Sequence, residues 1–160
     1  MIFKISKNSH YSNFKFPKLT FNKKLVAEIN LISGFVYKCD INENQKDTNK
    51  IIGLSDDYFH QINSIRIGFR YFNGVIELMV YYYNNSKHNS IKIGEVLENN
   101  PFKIEIEITN DLYIIKFNKN YQFIKRTSKW KFIRYVLFPY FGGQEKSKSD
   151  IKFDINYKII

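Results

Sequence analysis

The sequence predicts an all-β protein, an antiparallel β-sandwich or barrel, and three observations support this. Ala27 is the single alanine in 160 residues, whereas 12 Tyr and 15 Phe accompany many Ile residues. Strong helix formers are therefore scarce and strand formers abundant. Apolar and polar residues alternate over long stretches, and turn residues separate these stretches at roughly 8–12 positions, a spacing typical of sandwiches and barrels. With 44% hydrophobic residues, the chain does not belong to the disordered class.

The first 54 residues are predicted to contain two strands and a long loop, after an N-terminal segment. We expect residues 1–160 to form one β-sandwich domain, with residues 1–18 as an edge strand or a loosely held arm. Alternation over Leu25–Ile32 predicts the first long strand. The polar stretch Asp40–Lys50 predicts a loop, and Ile51–Leu54 a short apolar strand.

The clearest local signal is a β-hairpin centred on Asn73–Gly74. Alternating runs flank this pair, and both of its residues tolerate the positive φ of a type I′ turn. A two-residue turn fixes the register, so Arg66 should face Tyr81 and Arg70 should face Glu77. Because side chains alternate across a sheet, the core face should then carry one set of residues: Ile65, Ile67, Phe69, Tyr71, Ile76, Leu78, Val80 and Tyr82. Gly68 should leave a dip between the arginines on the opposite face.

Six further strands are predicted after the hairpin. The polar segment Asn84–Ser90 predicts a loop. Alternation and turn residues then predict strands at Ile91–Leu97, Phe102–Ile108, Leu112–Asn118 and Tyr121–Lys125, a long apolar strand at Phe132–Phe141, and a closing strand over Ile151–Ile159.

The polar face of the hairpin is the first candidate binding surface. Tyrosine rings can stack on the apolar face of a sugar, and Arg and Glu can hydrogen-bond its hydroxyls. An arginine pair would also suit a carboxylated or sulfated glycan. The alternative is a solvated face held by an Arg70–Glu77 pair, which would contribute roughly 0.2–1 kcal/mol. The candidate ligand-binding residues are Arg66, Arg70, Glu77, Tyr81, Tyr83 and, from a later strand, Tyr140.

Charge and composition restrict partners and location. The net charge of +10 could attract acidic partners, but codon bias towards Lys, Asn and Ile explains it equally well. Residues 112–144 contain no Asp or Glu and interleave basic with aromatic residues. Alternation directs half of those aromatics into the core, which disfavours nucleic acid as a partner. No membrane span or signal peptide is visible, and Cys39 has no partner for a disulfide, so we expect a cytoplasmic or virion-associated protein.

Two segments, Ile52–Arg70 and Val136–Ile151, together resemble a known family. Its expected motifs are matched by Gly53, Ser55 and Asp56, then by His60, Gln61, Asn63, Ser64, Arg66, Gly68 and Arg70, and finally by Leu137, Pro139, Tyr140, Phe141, Gly142, Gly143, Asp150 and Ile151. The chain resembles a family of small, largely uncharacterised proteins from Bacteroidota and their phages, whose fold is similar to the concanavalin A-like (lectin/glucanase) jelly roll. It departs from that pattern at Phe59, Phe69 and Lys148–Ser149.

The resemblance implies a jelly-roll β-sandwich and leaves three functions open. The first is a non-catalytic, lectin-like module that binds a glycan or polysaccharide, in the setting of a phage virion. The second is a polysaccharide lyase or glycoside hydrolase; if a lyase, its catalytic residues would be His60, Tyr140 and Arg66. The third is a structural or assembly protein that contacts copies of itself or virion neighbours. Hydrolysis has weaker support, since Glu105 and Glu107 occupy the solvated face of their strand.

Cofactor binding has little support in the sequence. The three histidines are far apart and no Cys pair exists, so no transition-metal motif is present. Calcium is the one weak candidate, with Asp56 and Asp57 as oxygen ligands, although the acidic residues do not follow an EF-hand spacing.

Overall fold

Two six-stranded sheets pack face to face in the computed structural model, which describes residues 1–13 and 17–160. In spatial order the first sheet contains β1 (Ile2–Ile5), β12 (Ile151–Ile159), β3 (Lys24–Ser33), β8 (Phe102–Ile108), β9 (Leu112–Phe117) and β10 (Asn120–Lys125). The second sheet contains β2 (Lys18–Thr20), β11 (Arg134–Leu137), β4 (Asn49–Ser55), β5 (Ser64–Phe72), β6 (Val75–Asn84) and β7 (Lys87–Val96). The paired strands are antiparallel, which confirms the predicted two-sheet jelly-roll β-sandwich.

The β5–β6 hairpin forms as predicted. Asn73 and Gly74 have positive φ values of 51° and 81°, as a type I′ turn requires. Arg66 lies opposite Tyr81, and Arg70 opposite Glu77. The inward residues Ile65, Ile67, Phe69, Leu78 and Val80 are completely buried, Ile76 nearly so, and Tyr71 and Tyr82 pack against them from the edge of the core.

Three sequence-based assignments are wrong. The segment Asn84–Ser90 is not a loop: Asn85 and Ser86 both have positive φ and make a tight turn, and β7 starts at Lys87. Its first residues are exposed on an edge strand, so they lack the apolar alternation that marks half-buried strands. Phe132–Phe141 is not one long strand, because β11 spans four residues. In Asp40–Lys50, a 3₁₀ turn at Asn42–Lys46 precedes β4.

The N-terminal segment supplies an edge strand to each sheet. β1 pairs with β12, and β2 pairs with β11. The part of the predicted arm at residues 14–16 lies outside the described residues. Within the described ranges, no helix is long and apolar enough to cross a bilayer.

A buried ion cluster around Asp56, the residue after β4, joins that strand to β9, to the start of β11 and to the residue after β10. The Asp56 carboxylate is completely buried and accepts hydrogen bonds from Arg126, Arg134 and the hydroxyl of Tyr113. Both guanidinium groups are also buried, with 6% and 1% of their side chains exposed. Buried charges of this kind are stable only when they are paired and fully hydrogen-bonded.

Replacing Asp56 with Asn should destabilise the fold strongly. The variant leaves two buried guanidinium groups without a counter-charge, so the free energy of unfolding should fall by about 3–5 kcal/mol. Denaturant unfolding followed by circular dichroism measures this. Asp154→Asn is the control: it removes the Asp154 ion pair with the N-terminal amine, which is half-exposed, and should change stability by less than about 1 kcal/mol. Equal effects of the two substitutions would contradict the structural role of Asp56.

Candidate functional site

A cleft of about 690 Å³ opens on the outer face of the second sheet. β5 and β6 contribute the polar floor, and β11 with the segment that follows it contributes one wall. The residues lining the cleft are Tyr11, Ser12, Pro17, Lys50, His60, Gln61, Ser64, Arg66, Tyr81, Tyr83, Tyr135, Val136, Leu137, Phe138, Pro139 and Tyr140. None of them is Asp or Glu, so the cleft offers aromatic surface and positive charge.

Arg66 lies at the centre of this cleft and is 7% exposed. Its Nη2 donates a 2.6 Å hydrogen bond to the carbonyl of Phe138, while Nε is buried and has no partner among the described residues. The hydroxyl of Ser64, two residues before Arg66 on β5, is also buried and has no partner among the described residues. Burial lowers the pKa of Arg66 to about 10, so it stays charged at neutral pH. Unpaired buried polar atoms are rare, and two of those in the described part of the chain belong to this cleft.

Lys50 is a second cation in the cleft. It is 9% exposed, and its Nζ lies 4.4 Å from the ring centroid of Tyr81 and 5.8 Å from that of Tyr140. Burial, reinforced by the charge of Arg66 and opposed by Asp47, lowers the pKa of Lys50 to about 8. In the described ranges, no salt bridge includes Lys50 or Arg66.

Tyr135 fixes the orientation of His60. The backbone N–H of His60 donates to the Tyr135 hydroxyl over 3.1 Å, and ring Nδ1 lies 3.3 Å from the same oxygen. That hydroxyl donates its own proton to the carbonyl of Tyr58. This pattern assigns the proton of the neutral ring to Nδ1 and leaves Nε2 as an acceptor. Burial, and then Arg66, lower the pKa of His60 below 6.5, so the imidazole is neutral at neutral pH.

Tyrosines form the walls of the cleft. Tyr81 and Tyr83 meet edge to face with ring centroids 5.6 Å apart. The ring of Tyr140 packs between the rings of His10 and Tyr11, with centroid distances of 5.5 Å and 5.3 Å. Burial raises the pKa of Tyr81 and of Tyr140, so both hydroxyls remain protonated donors at neutral pH.

The structure brings some predicted site residues together and separates others. Arg66, Tyr81, Tyr83, Tyr140 and His60 all line the cleft. Arg70 and Glu77 share the same sheet face but do not line it.

Arg70 and Glu77 are bound to each other and to neighbouring groups. Their side chains pair over 2.5 Å, Glu77 also binds Lys92 at 3.0 Å, and Arg70 Nη1 donates to the carbonyl of Lys46. The cross-strand pair considered above therefore describes these two residues better than a ligand contact does.

Sequence reasoning missed two features of this face, the first of which depends on a β-bulge. The register of β4 against β5 shifts between Lys50 and Ile52. This shift places Lys50 in the cleft, although it had been assigned to a loop. The dip predicted at Gly68 is wrong, because the backbone of Asn49 and the side chain of Thr48 fill the space above it. A bulge breaks period-2 alternation, so the pattern that located the other strands could not reveal it.

Asp56 and Asp57 do not form a calcium site in this arrangement. Both carboxylate oxygens of Asp56 are engaged by Arg126 and Arg134, and Asp57 accepts hydrogen bonds from the Tyr58 backbone and Asn63. Within residues 1–13 and 17–160, no group of three or more His, Cys, Asp or Glu side chains could hold a metal ion.

Comparison by sequence finds no matching protein-family model and no similar curated protein. Comparison of structures finds carbohydrate-active proteins. The chain is similar to a GH16 protein from a mixed-linkage glucan locus of Bacteroides ovatus, with a TM-score of 0.59 and 13% identity over 99% of this chain and 80% of that one. It is also similar to the alginate lyase AlyC3, with a TM-score of 0.61 and 13% identity over 98% and 74% of the two chains.

A third similar structure is SCLam, a non-specific endo-β-1,3(4)-glucanase of family GH16. The TM-score is 0.56 and the identity 11%, over 88% of this chain and 57% of that one. Together these likenesses confirm the concanavalin A-like jelly-roll fold that the family resemblance implied.

The tautomer of His60 can be measured directly. We expect ¹⁵N NMR shifts of the ring to report a protonated Nδ1 and an unprotonated Nε2 at neutral pH. Tyr135→Phe removes the oxygen that accepts from Nδ1, so the fraction of the Nδ1–H form should drop. A protonated Nε2 in the unmodified protein, or identical shifts in the variant, would contradict the assignment.

Proposed function

We propose that the protein binds an acidic polysaccharide in this cleft and cleaves it by β-elimination, as a polysaccharide lyase does. The observation that carries the proposal is the presence of two cations, Lys50 and Arg66, in an aromatic cleft whose lining contains no carboxylate. A carboxylate on the ligand would supply the missing counter-charge.

The lining suits a uronate residue. A guanidinium group binds a carboxylate through directed, charge-assisted hydrogen bonds, and Arg66 has a buried Nε available for one. Tyr81, Tyr83 and Tyr140 present ring faces and hydroxyls, which can contact the apolar and polar sides of a sugar ring.

Elimination fits the cleft better than hydrolysis. Glycoside hydrolysis by the usual mechanisms needs two carboxyl groups that flank the scissile bond, and this lining has none. Glu105 and Glu107 lie on the other sheet, where both bind Lys24 and Glu105 also binds Lys116. Elimination next to a uronate carboxyl needs a cation, a base and an acid instead. The fold shared with the alginate lyase AlyC3 adds support.

Arg66, His60 and Tyr140 can be assigned to the three roles. Arg66 holds the carboxylate and stabilises the charge that develops on it. Nε2 of His60 takes the proton from C5, and the electron pair left behind forms the C4=C5 double bond. The bond from C4 to the glycosidic oxygen breaks, and the hydroxyl of Tyr140 protonates that oxygen. Proton transfer through solvent from His60 to Tyr140 restores both groups.

Binding without cleavage is the second candidate function. No hydrogen bond joins His60 to Tyr140 in the described part of the chain; His60 is bound to Tyr135, and Tyr140 stacks on His10. A lectin-like module would need only the cations and the tyrosines. Such a module would also suit the virion setting that the family resemblance implies.

The role of Arg66 in binding can be tested with Arg66→Lys, which keeps the charge but removes the planar fork. Loss of one charge-assisted hydrogen bond, about 1.5–3 kcal/mol, should weaken binding of uronate oligomers about 10- to 100-fold in calorimetry. Arg70→Lys is the matched control on the same strand and should bind normally. Near-ultraviolet circular dichroism verifies folding. Equal affinities for both variants would refute Arg66 as the anchor.

The role of His60 separates an enzyme from a binding module. Ultraviolet absorbance of the unsaturated product should rise when the protein is mixed with polymannuronate, polyguluronate or polygalacturonate. His60→Gln should reduce the rate about 10²- to 10⁴-fold, with little change in affinity, because it removes the base but not the anchor. Tight binding with no product on any polymer would instead establish the non-catalytic function.

A further inference from the structure

Lys50 is held more rigidly than an ordinary surface lysine. Its backbone N–H donates to the carbonyl of Tyr140 over 2.8 Å, and the N–H of Tyr140 donates back to the carbonyl of Lys50 over 3.0 Å. A side chain at position 142 would place its Cβ 2.1 Å from Lys50 Nζ, so glycine at 142 leaves the space that the ammonium group occupies. The backbone pairing thus fixes the point at which the Lys50 side chain enters the cleft, beside Tyr140.

We infer that Lys50 is the specificity-determining residue of the cleft: its ammonium form is the second contact to the ligand's acidic group and makes affinity for acidic sugars depend on proton uptake. This inference rests on the proposed function, since it assumes that the cleft binds an acidic glycan. The catalytic roles proposed for Arg66, His60 and Tyr140 do not depend on this inference about Lys50.

Burial and the groups packed around Lys50 explain why its ammonium form is less stable than that of an exposed lysine. Arg66 on β5 repels the ammonium form, and Asp47, just before β4, attracts it but makes no salt bridge with it. Tyr81 on β6 and Tyr140 after β11 contribute neutral ring faces, whose attraction for a cation only partly replaces lost hydration. A ligand carboxylate at this position would stabilise the ammonium form directly.

The sign of the pH dependence follows from this environment. In the free protein the pKa of Lys50 is about 8, so the amine is mostly charged below pH 8 and mostly neutral above it. A bound carboxylate raises that pKa, and by linkage affinity must fall as pH rises through the free value. If the bound pKa lies well above 9, affinity drops about tenfold from pH 7 to pH 9.

Four neighbouring groups of the cleft, His60, Arg66, Tyr81 and Tyr140, titrate outside this interval. The pKa of His60 lies below 6.5, so this residue is already neutral at pH 7. The pKa of Arg66 is about 10, and burial raises the pKa of Tyr81 and Tyr140 above its usual value of 10. A change in affinity between pH 7 and pH 9 therefore reports on Lys50.

The test measures binding of a mannuronate oligomer and a neutral mannose oligomer by calorimetry at pH 7, 8 and 9. The unmodified protein should prefer the acidic oligomer and lose about tenfold in affinity for it across the series. Lys50→Arg should bind it with little pH dependence, and Lys50→Met should bind it about 10- to 100-fold more weakly at pH 7, also without pH dependence. Lys92→Arg, which alters a lysine outside the cleft, should behave like the unmodified protein.

The outcomes separate this inference from the proposed function. No binding of acidic oligomers at pH 7 would overturn both. Binding that is independent of pH, or whose pH dependence persists in Lys50→Arg, would overturn the inference and leave the proposed function standing. NMR titration of the labelled Lys50 amine, with and without oligomer, provides a readout that needs no variant: an unchanged pKa on binding would also overturn the inference.

Discussion

The pairing of β5 with β6 at Asn73–Gly74 determines both faces of the second sheet. A shift of one residue would send every side chain of a strand to the opposite face. The observed register buries Ile67 and Val80 in the core and turns Arg66 and Tyr81 outwards, opposite each other. The same β5–β6 hydrogen bonds therefore position the residues of the cleft and the residues of the core. A site built on strands keeps its geometry better than one carried by loops.

Two pairs of buried cations in this chain differ in whether they have a carboxylate partner. Arg126 and Arg134 converge on Asp56, which engages both guanidinium groups. Arg66 and Lys50 are almost as deeply buried, yet neither has a salt-bridge partner in the described ranges. An uncompensated buried charge is expensive, and folding alone gives no reason to keep it. These two unpaired cations are the reason for proposing an acidic ligand in the cleft.

What the sequence could predict depended on how regular each element is. The predicted positions of the β5–β6 hairpin, β8 and β12 are confirmed, and burial alternates along β8 and β12. β7 was partly missed because its first residues are exposed on both faces. Only part of the site could be predicted. The positions of Arg66 and Tyr81 follow from the hairpin register, whereas the position of Lys50 in the cleft depends on a β-bulge. The Tyr135–His60 contact joins residues 75 positions apart, which no local pattern reveals.

The fold itself does not decide between chemistries. The chain is about as similar to a GH16 protein as to an alginate lyase, and at 13% identity either likeness describes the backbone only. The choice lies in the lining of the cleft. Hydrolysis needs carboxyl groups at the scissile bond, whereas elimination needs a cation for the substrate's own carboxylate and a neutral base. Under the proposed lyase activity, Arg66 and a neutral His60 would supply the second set of groups, whereas the lining contains no Asp or Glu for the first.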